Sequence, residues 1–65
     1  MTIVVNGQQE TVDAPCTVAR LLHTRGSSRG VAVAVNDAFV PRAQYDTREL
    51  RDGDVVEIVA PMQGG

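Results

Sequence analysis

Only one stretch of this chain carries the apolar spacing of a helix. Val18, Leu21 and Leu22 recur at i, i+3 and i+4, just after Thr17, whose hydroxyl suits an N-cap. The other apolar residues come mostly in short β-branched runs, at 2–5, 31–35 and 55–59. A single helix of two to three turns cannot cover both faces of a sheet. It must cross one of them, which predicts a two-layer α+β roll. Sixty-five residues leave room for one domain. A chain this short buries only roughly 60% of the surface its unfolded form exposes, so its stability is modest.

The punctuation between the runs sets the order of elements. Residues 2–5 stop at Asn6-Gly7, a hairpin turn signal, and residues 8–13 return. A strict two-residue loop sets Ile3 opposite Glu10, an awkward neighbour for a core residue; a longer loop is the alternative. Pro15 ends the second run. Arg20 stands where a capping box would place Glu or Gln. Arg25 lies near the helix end, where a cation suits the dipole, and Gly26 followed by Ser27-Ser28-Arg29-Gly30 reads as a C-cap and loop. Residues 31–36 form the next strand. Asn36-Asp37 then turns the chain, Phe39-Val40 forms a brief strand ended by Pro41, and residues 43–50 make a loop with one helical turn anchored by Tyr45 and Leu50. Arg51-Asp52-Gly53-Asp54 is a tight turn before the last strand, residues 55–60. The first and last strands are richest in branched residues, which suits central positions side by side. That arrangement is a ubiquitin-like β-grasp: a mixed four- to five-stranded sheet, one helix across one face, and a C-terminal segment projecting from the middle of the sheet.

Period-2 alternation then predicts an uncovered face that is unusually apolar. If Glu57 points to water, Val55 and Val59 point the same way, while Val56 and Ile58 face the helix. Likewise Val4, Ala32 and Ala34 lie on the open side if Ile3, Val5, Val31, Val33 and Val35 are inside. Contiguous exposed apolar surface on a small protein marks a docking face; the plainer alternative is that small alanines are simply tolerated there.

Composition excludes several functions. The formal charge is −2 and there is no basic stripe to follow a phosphate backbone. Phe39 and Tyr45 are the only aromatics, too few to stack on bases, so nucleic acid is not an expected partner. The start, MTIVVNGQQE, turns polar after five residues, unlike a signal peptide, and no apolar run approaches the ~20 residues of a membrane span. One cysteine, Cys16, rules out an intramolecular disulfide and suits the cytoplasm. Cys16 is either a small residue before the helix or a sulfur-relay thiol. His23 reads as a solvent-facing helix residue, since no nucleophile accompanies it. One His, one Cys and turn aspartates do not make a metal site. Asp52 and Asp54 read as turn residues; Asn36 and Arg42 are a turn residue and a solvated cation, or partner contacts. No bound cofactor is expected: GSSRG lacks the lysine of a phosphate loop, and no nucleophile–base pair marks an enzyme.

The sequence closes with VEIVAPMQGG. Pro61 lacks an N–H and so ends ladder pairing, which divides the chain into a domain of residues 1–60 and a flexible tail of residues 61–65. Five extended residues reach at most about 17 Å. Gly64-Gly65 has no side chains, so its backbone can enter a channel closed to other residues. The Gly65 carboxylate is a poor electrophile until activated, for example as an acyl-adenylate; an activated acyl group can then accept a sulfur nucleophile. The chain itself lacks the machinery for either step, so it is read as the substrate of partner enzymes.

The runs GVAVAVNDAFVPRAQY and LRDGDVVEIVAPMQGG resemble the thiamine-pathway sulfur carrier proteins, the ThiS family, over essentially the whole chain. The features that carry the resemblance are Val35-Asn36 followed by Val40-Pro41-Arg42, the Asp52-Gly53-Asp54 turn, the valine-rich last strand, and Gln63-Gly64-Gly65. The resemblance implies that Gly65 is adenylated by an ATP-dependent, ubiquitin-activating-like enzyme and converted to a thiocarboxylate. It implies sulfur from a donor such as a cysteine desulfurase, and a thiazole synthase that takes the sulfur. Gly64 would thread the activating site, with Met62 and Gln63 lining the approach. The alternatives are a carrier for molybdopterin or another metabolite, and a non-covalent ubiquitin-like interaction module.

Overall fold

The computed structural model describes residues 1–26 and 30–59. Strands β1 (Thr2–Val5) and β2 (Gln8–Thr11) form a hairpin, followed by helix α1 (Val18–Thr24). Strands β3 (Ala32–Val35) and β4 (Ala38–Val40) form a second hairpin. A 3-10 turn at Arg42–Gln44 leads on to β5 (Val55–Val59). The sheet order is β2-β1-β5-β3-β4, with β1 and β5 parallel and every other pair antiparallel. The first and last strands are therefore adjacent, with β5 at the centre, as the clustering of branched residues predicts. The second strand is shorter than the predicted 8–13 and ends at Thr11.

Both hairpins turn in two residues. Asn6 and Gly7 have φ of 50° and 84°, and Asn36 and Asp37 have 51° and 69°. Two consecutive positive φ values match the right-handed twist of the flanking strands, and Asn, Asp and Gly adopt them most readily. The first turn settles the register in favour of the two-residue loop: Val5 pairs with Gln8, and Ile3 with Glu10. The pairing is not costly, because β2 is the edge strand. Glu10 extends past the sheet to the end of α1, where Arg25 donates to its carboxylate at 2.6 Å.

The helix is seven residues long and begins where the sequence predicts. The Thr17 hydroxyl accepts from the Arg20 amide at 3.2 Å, capping one of the unpaired amides of the first turn. Gly26, with φ of 71°, follows the C-cap in the left-handed region that ends many helices. So short a helix depends on packing. Val18, Leu21 and Leu22 are buried against Ile3, Val5, Val33, Val35 and Val56 of the sheet, and Cys16, Val40 and Leu50 complete the core. Each fully buried aliphatic side chain contributes on the order of 1.5–3 kcal/mol. The irregular segment is tied to the rest by backbone bonds from Val18 to the Arg48 carbonyl and from Leu50 to that of Cys16, and by the Tyr45 hydroxyl, which donates to Val31.

Candidate functional site

The helix leaves the other face of the sheet bare. Cross-strand register brings Val4 beside Val55, Ala32 beside Val59, and Ala34 between Phe39 and Glu57. Phe39 is 69% exposed, Val59 63% and Val55 46%, unusual values for such side chains. Ala32, Ala34, Phe39, Glu57 and Val59 line a shallow depression of about 150 Å³. The structure thus gathers all five residues that alternation assigned to the open face, Val4, Ala32, Ala34, Val55 and Val59, on one surface. It adds Phe39, which alternation within β1, β3 and β5 alone does not reach. The signal was present: a two-residue loop at Asn36-Asp37 forces Val35 opposite Ala38 and hence Ala34 opposite Phe39. Among the described strand residues of this face, Glu57 alone carries a charge.

Strand β5, which leads into the C-terminal segment, is held from both sides by the two turn asparagines. On the β1 side, the Asn6 amide donates to the Val56 carbonyl at 2.9 Å, continuing the parallel ladder. A regular ladder would next bring the Ile58 amide to the Asn6 carbonyl. The positive φ of Asn6 starts the turn instead, and its side chain substitutes: Ile58 N–H donates to Oδ1 at 2.8 Å, and Nδ2 donates to the Ile58 carbonyl at 3.1 Å. On the β3 side, the Asn36 amide donates to Val55, and the Val55 amide donates back to Asn36 Oδ1 at 2.9 Å rather than to its carbonyl. Asn36 Nδ2 also donates to the Asp54 carboxylate at 2.9 Å. Sequence analysis read Asn36 as a turn residue or a partner contact; its amide is engaged within the fold.

The other candidate side chains fall into structural positions. Asp54 is buried, and its second oxygen accepts from the Arg51 amide at 2.8 Å. Asp52 accepts from the Thr2 amide at 2.7 Å, and Gly53, with φ of 88°, donates to the Thr2 carbonyl. The two aspartates therefore fasten the turn before β5 to β1 and β3. Cys16 is buried in the core, with its thiol donating to the Thr17 carbonyl at 3.5 Å. His23 and Arg42 are exposed. Among the described residues no cluster of His, Cys, Asp or Glu could hold a metal, and no helix is long and apolar enough to cross a membrane. The predicted tail residues Met62, Gln63, Gly64 and Gly65 lie outside the described residues, as do Ser27, Ser28 and Arg29 of the loop after the helix.

Comparison with known proteins places this arrangement. The ThiS family model matches residues 3–65. A sulfur carrier protein ThiS of Thermus thermophilus is 40% identical over 62 residues, covering 94% of this chain and 95% of the relative. A thiazole synthase of Paramagnetospirillum magneticum is 42% identical over 66 residues; the match takes in this whole chain but only 20% of that protein. The crystal structure of a thiamine biosynthesis protein (ThiS) from Geobacter metallireducens superposes with a TM-score of 0.84 at 33% identity, over the full length of both chains. The solution structure of a thiamine biosynthesis protein from the same organism gives 0.82 at 33% identity, covering all of this chain and 88% of the other. With its β-grasp sheet, its bare apolar face and a sequence match that runs through Gly65, the chain belongs to the ThiS family.

Proposed function

We propose that this protein is a cytoplasmic sulfur carrier for thiamine biosynthesis, with Gly65 as the point of attachment. The observation that carries the proposal is the near full-length match to a sulfur carrier, 95% of that relative, combined with a family match that extends to the Gly-Gly pair. The chemistry follows from what a carboxylate can do. An oxygen of the Gly65 carboxylate attacks the α-phosphorus of ATP on an adenylating partner, displacing pyrophosphate. The terminal sulfur of a persulfide on a donor such as a cysteine desulfurase then attacks the acyl carbon, and AMP leaves to give an acyl disulfide. A thiol reductant cleaves its S–S bond, leaving the sulfur on the acyl carbon as a thiocarboxylate and the donor sulfur in a disulfide with the thiol. The protein acts as substrate in every step.

A thiazole synthase is the proposed acceptor of the sulfur. The P. magneticum protein of that name contains a segment 42% identical to this chain, which supports a link between the two. The open face, Val4, Ala32, Ala34, Phe39, Val55 and Val59, is the proposed docking surface for the body of the carrier, while Met62, Gln63 and Gly64 carry Gly65 to the partner's reactive centre. Intact mass spectrometry after incubation with an adenylating enzyme, ATP and a sulfur source tests the proposal. The expected result is a gain equal to replacing one oxygen by one sulfur, absent when Gly65 is deleted, and loss of that gain on adding a thiazole synthase with its substrates. A gain that only a molybdopterin-type synthase discharges would reassign the pathway. No gain with any such partner would leave a non-covalent interaction module.

A further inference from the structure

The Asn6 clasp takes over the β1 side of β5 where the backbone ladder stops. Strand β1 ends at Val5, while β5 continues to Val59. Beyond Val56, the β1 side of β5 is met by the Asn6 side chain, which takes both the amide and the carbonyl of Ile58. Ile58 is the penultimate residue of β5, and the last, Val59, belongs to the open face. Asn36 makes the corresponding clasp at the other end of the strand, at Val55. Both asparagines open two-residue turns, at φ of 50° and 51°, and accept a β5 amide through Oδ1. But Asn36 Nδ2 goes to the Asp54 carboxylate, and Asn36 lies at the start of β5 whereas Asn6 lies at its end.

We infer that Asn6 is a positioning residue for the chemistry at Gly65. Its amide replaces the peptide that β1 would have supplied next and so fixes the last residues of β5 against the sheet. It thereby sets where the end of β5 lies relative to the docking face. A carrier whose body is docked on one surface while its end reacts elsewhere needs that relation fixed, because effective concentration at the reacting centre depends on where the tether is anchored. Exposed turn bonds of this kind contribute little to global stability, so the clasp acts through geometry. The inference rests on the proposal that Gly65 is the reacting group.

The test compares Asn6→Gly with Asn36→Gly; glycine keeps the positive φ at both turns and removes only the side-chain amide. Adenylation is followed by pyrophosphate release with a partner activating enzyme, and amide exchange of Ile58 by NMR. Asn6→Gly is expected to speed Ile58 exchange and lower kcat by about tenfold, the scale of losing two modest hydrogen bonds, with KM within about twofold of wild type. Asn36→Gly is expected to leave kcat within about twofold, since the strand exit remains held. Asn6→Asp keeps the acceptor for Ile58 but sets an oxygen against its carbonyl; it is expected to fall between, and serves if Asn6→Gly does not fold. Wild-type kcat in the variants at Asn6, unchanged Ile58 exchange, or an equal kcat loss in Asn36→Gly would each overturn the inference. Failure of wild-type protein to be adenylated would instead overturn the carrier proposal itself.

Discussion

The two faces of the sheet are built from nearly the same residues and meet different fates. Ile3, Val5, Val33, Val35 and Val56 lie under the helix at 0–1% exposure. Val4, Ala32, Ala34, Val55 and Val59 occupy the alternate positions of the same strands; Ala32, Val55 and Val59 are exposed, and Val4 and Ala34 are half-buried by their neighbours. Composition cannot distinguish the two sets. The single helix does, since seven residues can roof only one side. Strand propensity accounts for single exposed valines, but a contiguous apolar surface on the bare side suits association. The covered face therefore bears on stability and, under the docking proposal, the open face on binding; mutation separates the two.

Leu21→Ala should have the largest effect, and on stability alone. Leu21 is 2% exposed at the centre of the helix–sheet contact, and comparable truncations in cores cost about 2–5 kcal/mol. A domain of this length has a total stability of only about 3–10 kcal/mol, so the variant should be partly unfolded at 25 °C. Urea unfolding followed by far-UV circular dichroism measures this. A loss under about 1 kcal/mol would mean the helix is held by something other than its buried stripe.

Val59→Asp should reverse the pattern. At 63% exposure the side chain has little to lose on folding, and the stability change should stay within about 1 kcal/mol. A charge at the centre of an apolar contact should weaken binding to the adenylating enzyme by about tenfold to a hundredfold, or roughly 1.4–2.8 kcal/mol. Phe39→Ala should lower affinity by a similar factor, because large aromatic side chains dominate such contacts. Titration calorimetry with the partner, with unfolding curves as control, separates the two effects. Unchanged affinity in both variants would free the open face from any docking role.

The element order was legible because the punctuation is strong. Asn6-Gly7, Thr17, Gly26, Asn36-Asp37 and Gly53 each act where the chain reverses or a helix begins or ends, Thr17 through its capping hydroxyl and the others through a tolerance of positive φ, and neither needs tertiary context. Alternation was equally clear in β3 and β5, which have apolar residues on both faces but a charge, Glu57, to mark the outside. Two features needed the fold. The asparagine clasps depend on β5 lying between two hairpins far away in sequence, so the turn signal at Asn6 gives no hint of Ile58, 52 residues on. Phe39 required carrying the register across the second turn before judging its face.

The smallest predicted effect concerns the first hairpin, where a pattern rule and the structure disagreed. A carboxylate opposite a core isoleucine is unfavourable only if it must stay there. On the edge strand Glu10 leads outward, and its ion pair with Arg25 leaves both side chains about one-third exposed, at 30% and 34%. Exposed pairs of this kind contribute about 0.2–1 kcal/mol, and salt screens them. Glu10→Gln should therefore lower stability by no more than about 1 kcal/mol, and the gap from wild type should close as ionic strength rises. Arg25→Gln should match it, and the double variant should cost little more than either single one, because both lose the same contact. Should Glu10→Gln instead cost more than about 2 kcal/mol and keep that cost in high salt, Glu10 would be fixing the register of the hairpin itself, and the Asn6-Gly7 turn would be insufficient to set it alone.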